Sequence, residues 1–211
     1  MSNSFVTENE VFSHLANALR KDVDLRYDLE LAFKMLLSRY ATSIYENRFI
    51  VGGVAERFIA ATFLAIGKNV LSYGDLQQGA DLQVDDAIFS IKGSFSGSRD
   101  IRLINVLGDS ELAKWQHATI FIISGKGVGY ADPDLLPNCT KRVKDAVVLN
   151  LYHVYNLWEN EPKLLVNIDI PQSRRDASGS DVASKVVADE ILRDSRMKRL
   201  RPVLSNPTGD D

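Results

Sequence analysis

The sequence predicts a mixed α/β domain, and three observations carry that prediction. Apolar residues recur at three- and four-residue intervals through the first 66 residues, alternation replaces that period over residues 80–92, and residues 118–124 form a continuous isoleucine-rich apolar run. The first pattern is that of helices, the second of a half-buried hairpin, and the third of a central strand covered on both faces. With 211 residues, 45% of them hydrophobic and 25% charged, the chain is sized and composed for one globular domain with a sizeable core.

Residues 9–20 place Val11, Leu15, Ala18 and Leu19 on one helical stripe, and residues 22–45 continue it with Leu25, Leu29, Phe33, Leu36, Leu37 and Tyr40. Gly52 and Gly53 then punctuate the chain ahead of a helix over 54–66 that is apolar almost all the way round, apart from Glu56 and Arg57, and that Gly67 can terminate. Residues 69–72 form a short strand; 80–84 and 87–92 form a hairpin with Asp85 and Asp86 in its turn. A polar stretch over 93–100, a helical pattern over 101–115 and the strand over 118–124 complete a core of helix, three strands, helix, strand. Residues 125–138 read as a loop rich in Gly, Pro and Asp, 141–158 as an apolar run with Tyr152 and Tyr155, 164–170 as a strand, 173–180 as a linker, and 182–192 as a helix. The run Gly125-Lys126-Gly127-Val128-Gly129 lacks the Gly-Lys-Ser/Thr ending of a phosphate loop and reads as a flexible connection.

Charge and composition narrow the function classes. Twenty-five Lys and Arg against 28 Asp and Glu leave a formal net charge of -3 and a pI of about 5.7, which excludes sequence-blind adhesion to polyanions and requires any such partner to meet a local patch. The single Cys139 excludes a disulfide framework and a Cys-rich zinc site, and His14, His117 and His153 match no metal-ligand spacing. The first ten residues do not read as a targeting signal and the most apolar stretch, 58–66, is too short to cross a bilayer, so the expectation is a cytoplasmic protein with no membrane partner.

The hairpin can be read geometrically. If Asp85 and Asp86 form a two-residue turn, Val84 opposes Ala87 and Asp81 opposes Ser90. Asp81, Gln83, Ser90 and Lys92 then share one face, while Leu82, Val84, Phe89 and Ile91 share the other. A carboxylate and a lysine on adjacent strands suit phosphodiester chemistry: the acid holds a hard divalent cation, and the lysine orients water or neutralises charge. Glu56, an acid in a nearly all-apolar helix, is the candidate second ligand, because its burial requires a compensating charge or metal. The plain alternative is the solvated face of an amphipathic hairpin.

Glu56 on a helix, Asp81, then Ser90-Ile91-Lys92 on the next strand, within that element order over residues 48–124, resembles the PD-(D/E)xK nuclease superfamily, whose best-known members are type II restriction endonucleases. The resemblance implies a Mg2+-dependent, site-specific deoxyribonuclease with Asp81 as metal-binding aspartate, Lys92 as motif lysine and Glu56 as the helix-borne acid. It also implies a division into N-terminal helices (1–47), a catalytic core (48–124) and a recognition and dimerisation extension (125–211). Two positions depart from the family pattern: Ala80 replaces the proline, and Ser90 stands where Glu or Asp is usual, leaving Ser90 a minor polar contact. Glu56, or Glu111 on the following helix, would then supply the missing ligand; if neither does, the alternative is a nuclease-fold subunit that binds without cutting. A structure-specific or toxin nuclease is a third reading.

Three basic clusters are candidates for contact with double-stranded DNA: Ser94, Ser96, Arg99 and Arg102; Asn138, Lys141, Arg142 and Lys144; and Arg174 with Arg175. Hydroxyls and guanidinium forks suit phosphates, and Arg and Asn suit guanine and adenine edges. Double-strand cleavage implies a homodimer, with the N-terminal helices or the basic segment 193–201 as possible interfaces.

Overall fold

Helices α1 (Val6–Lys21) and α2 (Val23–Arg39) form where the apolar period predicts them. In the computed structural model, which describes residues 4–72, 80–105, 114–173 and 183–205, Asp22 separates the two. Its carboxylate accepts the Leu25 N–H at 3.0 Å and its own N–H closes α1 on the Ala18 carbonyl, so one residue satisfies orphan groups of two helices. The next helix, α3 (Tyr45–Ala65), is longer than the sequence predicts because it runs straight through Gly52 and Gly53. Gly53 serves packing: a Cβ there would lie 2.7 Å from Ser184 Oγ, where the last helix begins, whereas a Cβ on Gly52 would meet nothing within 4 Å.

The strands β1 (Val70–Ser72), β2 (Leu82–Val84), β3 (Ala87–Ser94), β4 (Asp100–Asn105), β5 (Ala118–Ile123), β6 (Gly127–Ala131), β7 (Thr140–Val143), β8 (Ala146–Asn150) and β9 (Leu165–Val166) make two sheets. The larger has the order β1-β2-β3-β5-β6-β9, parallel only between β3 and β5, and the smaller is the antiparallel set β4-β8-β7. Helices α4 (Leu151–Asn160) and α5 (Ser184–Leu192) complete the elements. The two sheets interleave along the chain, since β4 joins strands from beyond residue 124 and β6 and β9 extend the sheet that β3 and β5 begin.

Both faces of the larger sheet are covered. On one, Phe89 stacks on Phe63 of α3 at 6.0 Å and Tyr130 meets Phe12 of α1 at 5.4 Å. On the other, Phe121 packs edge-on against Trp115 and against Trp158 of α4. β5 is buried at all six positions, as its isoleucine-rich run requires.

Three expectations give way. The helix expected over 101–115 begins instead as β4; Ile101 and Leu103 are buried with Arg102 exposed between them, a two-residue alternation that pairing with β8 selects over the helical reading. Residues 106–113 lie outside the described residues. The glycine-rich run read as flexible contains β6, buried throughout, where glycines are demanded by neighbours: a Cβ on Gly127 would sit 2.1 Å from the Val166 carbonyl. The strand expected over 164–170 shrinks to β9 after a 3-10 turn at Pro162–Leu164.

The basic segment near residue 200 docks within the chain. Lys198 pairs with Asp24 and Arg199 with Asp22, each at 2.8 Å, while the backbone N–H groups of Arg199 and Leu200 both donate to Asp28 Oδ2. Asp28 is fully buried on α2, and these bonds hold the C-terminal segment onto that helix. Among the described residues no helix is long and apolar enough to cross a membrane.

Candidate functional site

The hairpin has the register that a two-residue turn dictates: Val84 opposes Ala87, Leu82 opposes Phe89, and Asp85 takes a left-handed backbone (φ 51°) in the turn. Lys68 and the Asn69 N–H bind the Asp85 carboxylate and hold its acid form below the usual range, in that order of importance. The turn is therefore braced from outside the hairpin.

One residue beyond β2, Asp81 steps out of that register: its N–H donates at 2.8 Å to the carbonyl of Phe89, the residue that already opposes Leu82, as in a β-bulge. Its side chain falls on the same face as Ser90 and Lys92. Asp81 Oδ2 accepts three hydrogen bonds: from Ser90 Oγ at 2.9 Å, from the Ile91 N–H, and from Lys92 Nζ at 3.3 Å. Oδ1 takes none of the bonds formed among the described residues. The Asp81 and Lys92 side chains are only 18% and 22% exposed, so their attraction is less screened than that of a surface pair. Ser90, which donates to Asp81, is 5% exposed.

A cleft of about 840 Å³ opens beside the C-terminal end of β3. α3 supplies one wall with Arg48, Phe49, Gly52, Gly53 and Glu56; β3 and the chain after it supply Ile91, Lys92, Ser94 and Ser96; β4 supplies Asp100 and Arg102. Glu56 and Lys92 thus line the same cavity from a helix and a strand. Asp81 is not itself part of that lining and meets the cleft through Lys92.

The smaller sheet brings together clusters that lie forty residues apart in sequence. Arg102 and Lys141 both stand opposite Val148, one on each side of β8, so they share a sheet face. Lys141 Nζ approaches Asp100 at 3.5 Å and Arg102 approaches Asp145 at 3.8 Å; all four side chains are substantially exposed. Such long, solvated pairs cost little to exchange for a phosphate.

Of the remaining candidates, Ser94 and Ser96 line the cleft, while Arg99 lies in the loop before β4 and borders a neighbouring cavity. Arg142 stands opposite Val147, one residue out of step with Lys141, so it leaves the Arg102 face. Asn138 and Lys144, both with left-handed backbone, occupy exposed turns flanking β7, and none of these three lines the cleft. Glu111, Arg174 and Arg175 lie outside the described residues. Arg48 and Phe49 were not singled out from sequence. They sit eight and seven residues before Glu56, two helical turns away on its face, a relation hidden once Gly52 and Gly53 are read as a break.

Metal binding can be tested against the donors present. Among the described residues no group of three His, Cys, Asp or Glu side chains gathers to hold an ion. Mg2+ demands fewer protein ligands than that, usually one or two carboxylates with water and phosphate oxygens completing the octahedron. Asp81 Oδ1 and the Glu56 carboxylate are hard oxygen donors of the required kind, so the residues fit that ion in chemistry.

A two-faced sheet with a parallel β3–β5 pair, an antiparallel hairpin carrying Asp81 and Lys92, and helices on both sides is a restriction-endonuclease-like fold. A solved structure described as a restriction endonuclease in complex with substrate DNA matches it with a TM-score of 0.53, over 81% of this chain and 93% of that chain, at 16% sequence identity. No family model matches the sequence, and no curated protein matches it.

Proposed function

We propose that the protein is a Mg2+-dependent, sequence-specific endonuclease that hydrolyses phosphodiester bonds in double-stranded DNA, as type II restriction enzymes do, working as a cytoplasmic homodimer. The observation that carries this reading is the partly shielded Asp81–Lys92 pair of the hairpin, whose Lys92 lines a cleft walled by Glu56 and Arg102.

Asp81 and Glu56 would hold the ion, which when bound supplies Lewis acidity toward the phosphate and a more acidic water. The protein groups have separate tasks. Lys92, tethered by Asp81, is held where its ammonium can orient the attacking water or offset charge building on the phosphate. Ser90 fixes the Asp81 rotamer. Arg102 and Lys141, which share a face of the smaller sheet, would take backbone phosphates and set the register of the duplex.

A second reading draws on Ser90 occupying the usual acid position and on the absence of a three-acid group among the described residues: a nuclease-fold subunit that binds DNA without cutting. Incubation of the purified protein with DNA of known sequence and Mg2+ separates the two. Discrete fragments support the site-specific enzyme, smearing or structure-dependent nicks support a nuclease of different selectivity, and retention of intact DNA in a gel shift supports the non-cutting subunit.

A further inference from the structure

Beside the cleft lies a second cavity of about 330 Å³, bordered by Arg99, Ser124, Asn150, Tyr152 and Tyr155 and sharing Ser94 and Ser98 with the first. We propose that this cavity receives a single nucleobase turned out of the stack of a nucleic-acid strand lying in the cleft. The proposal rests on the nucleic-acid reading of the cleft given above and deepens it.

Size and continuity come first. The volume lies at the lower end of the roughly 300–1,000 Å³ range of small-molecule pockets, suited to one planar heterocycle. Ser94 and Ser98 border both cavities, so the second cavity lies directly beside the cleft, within reach of a single nucleotide of a strand bound there.

The lining chemistry matches a base. Tyr155 packs against Trp158 at 6.1 Å and has Lys126 Nζ 4.9 Å from its ring centroid; Tyr152 is 64% exposed. Aromatic rings beside a polar rim are the standard platform for unstacked bases, because every base offers a π face. Arg99 is exposed at the rim and forms no ion pair or side-chain hydrogen bond among the described residues, so its guanidinium is available to the phosphate flanking a base in the chamber.

The chamber is also preformed. Ser124 donates its hydroxyl to the Pro171 carbonyl at 2.6 Å and its N–H to the Ser94 carbonyl at 3.0 Å, and the Leu151 N–H donates to the Arg99 carbonyl at 2.9 Å. Asn150 accepts the Tyr152 N–H through Oδ1 and donates through Nδ2 to Asp100, tying the chamber to the cleft wall. A pocket whose walls are pinned in advance loses little affinity to ordering.

The test measures binding by fluorescence anisotropy at low salt without divalent metal, using a mixed-sequence single-stranded 12-mer and a 12-mer of abasic residues with the same phosphates. The base-bearing strand should bind roughly tenfold more tightly. Tyr152→Ala and the double variant Tyr152→Ala with Tyr155→Ala should lower its affinity toward that of the abasic strand and leave the abasic strand unchanged. The single variant, at an exposed position, guards against a folding defect. Equal binding of both strands by wild type, or a base preference that survives both variants, overturns the chamber while leaving the cleft as a nucleic-acid site. Failure of both single strands to bind while a 12-base-pair duplex of the same sequence binds overturns the chamber and leaves the cleft reading; failure of the duplex as well overturns both.

Discussion

Ser90 Oγ donates a 2.9 Å hydrogen bond to Asp81 Oδ2, so the residue standing where the resembled family carries an acid steadies the aspartate instead of adding a second negative charge beside it. Ser90→Ala removes that bond but leaves Asp81 its bonds from the Ile91 N–H and Lys92. The variant should fold and lose about 1 kcal/mol of stability. Urea denaturation reads this as a lower midpoint at unchanged slope; an unaltered midpoint would show that the bond contributes nothing.

Arg102 and Lys141 flank Val148 on one face of the smaller sheet and, among the described residues, form ion pairs with the solvated acids Asp145 and Asp100. If both neutralise phosphates, their combined replacement by alanine should weaken DNA binding and reduce the slope of log affinity against log salt by about 1.8 in magnitude, about 0.9 for each lost contact. Arg142, on the other face, serves as the control: Arg142→Ala should leave the slope near that of wild type.

The hairpin was the most legible part of the sequence, because a two-residue turn and a two-residue period fix which side chains meet. Asp81, Ser90 and Lys92 come together on one face as expected, although Asp81 itself leaves the ladder and gives its N–H to Phe89. The smaller sheet was not legible: Ile101, Leu103 and Ile104 fit a helix or a strand equally, and only pairing with β8, more than forty residues later, decides between them. Glycines misled twice for one reason. Gly53 and Gly129 look like chain breaks, yet each is dictated by a close neighbour that has no local trace in the sequence, Ser184 in one case and Trp158 in the other.

Gly129 offers a direct test of that view. A Cβ there would lie 2.3 Å from the Trp158 ring, and the indole cannot simply withdraw because its N–H donates to the Tyr130 carbonyl at 2.8 Å. Gly129→Ala should cost roughly 1–3 kcal/mol, lowering the melting temperature by about 2–4 °C for each. A wild-type melting curve would mean that β6 does not pack against α4 as described.

Asp132 introduces a pH dependence. It is fully buried, accepting the Tyr130 hydroxyl and the Leu135 N–H, each at 2.8 Å, with the Asp134 carboxylate nearby. Burial raises its acid form above the ordinary carboxylate range, more than the hydrogen bonds lower it. The folded chain therefore holds the proton more tightly than the unfolded one. This contribution to stability is complete below the ordinary carboxylate pKa and is lost as pH rises through the raised one. As pH rises from the ordinary carboxylate range, about 4, through the raised pKa, Asp132→Asn should gain stability relative to wild type, measured as the difference in urea midpoints. Parallel curves would contradict the assignment.

The shielded Asp81–Lys92 pair is the core of the functional proposal, and the rate of plasmid cleavage with Mg2+ probes it most directly. Wild-type protein should convert supercoiled DNA to cut forms, and Asp81→Asn and Lys92→Gln should each slow that conversion by at least about 100-fold while still binding DNA at low salt. Cleavage by either variant at the wild-type rate, or no cleavage of any DNA by the wild type, would contradict it.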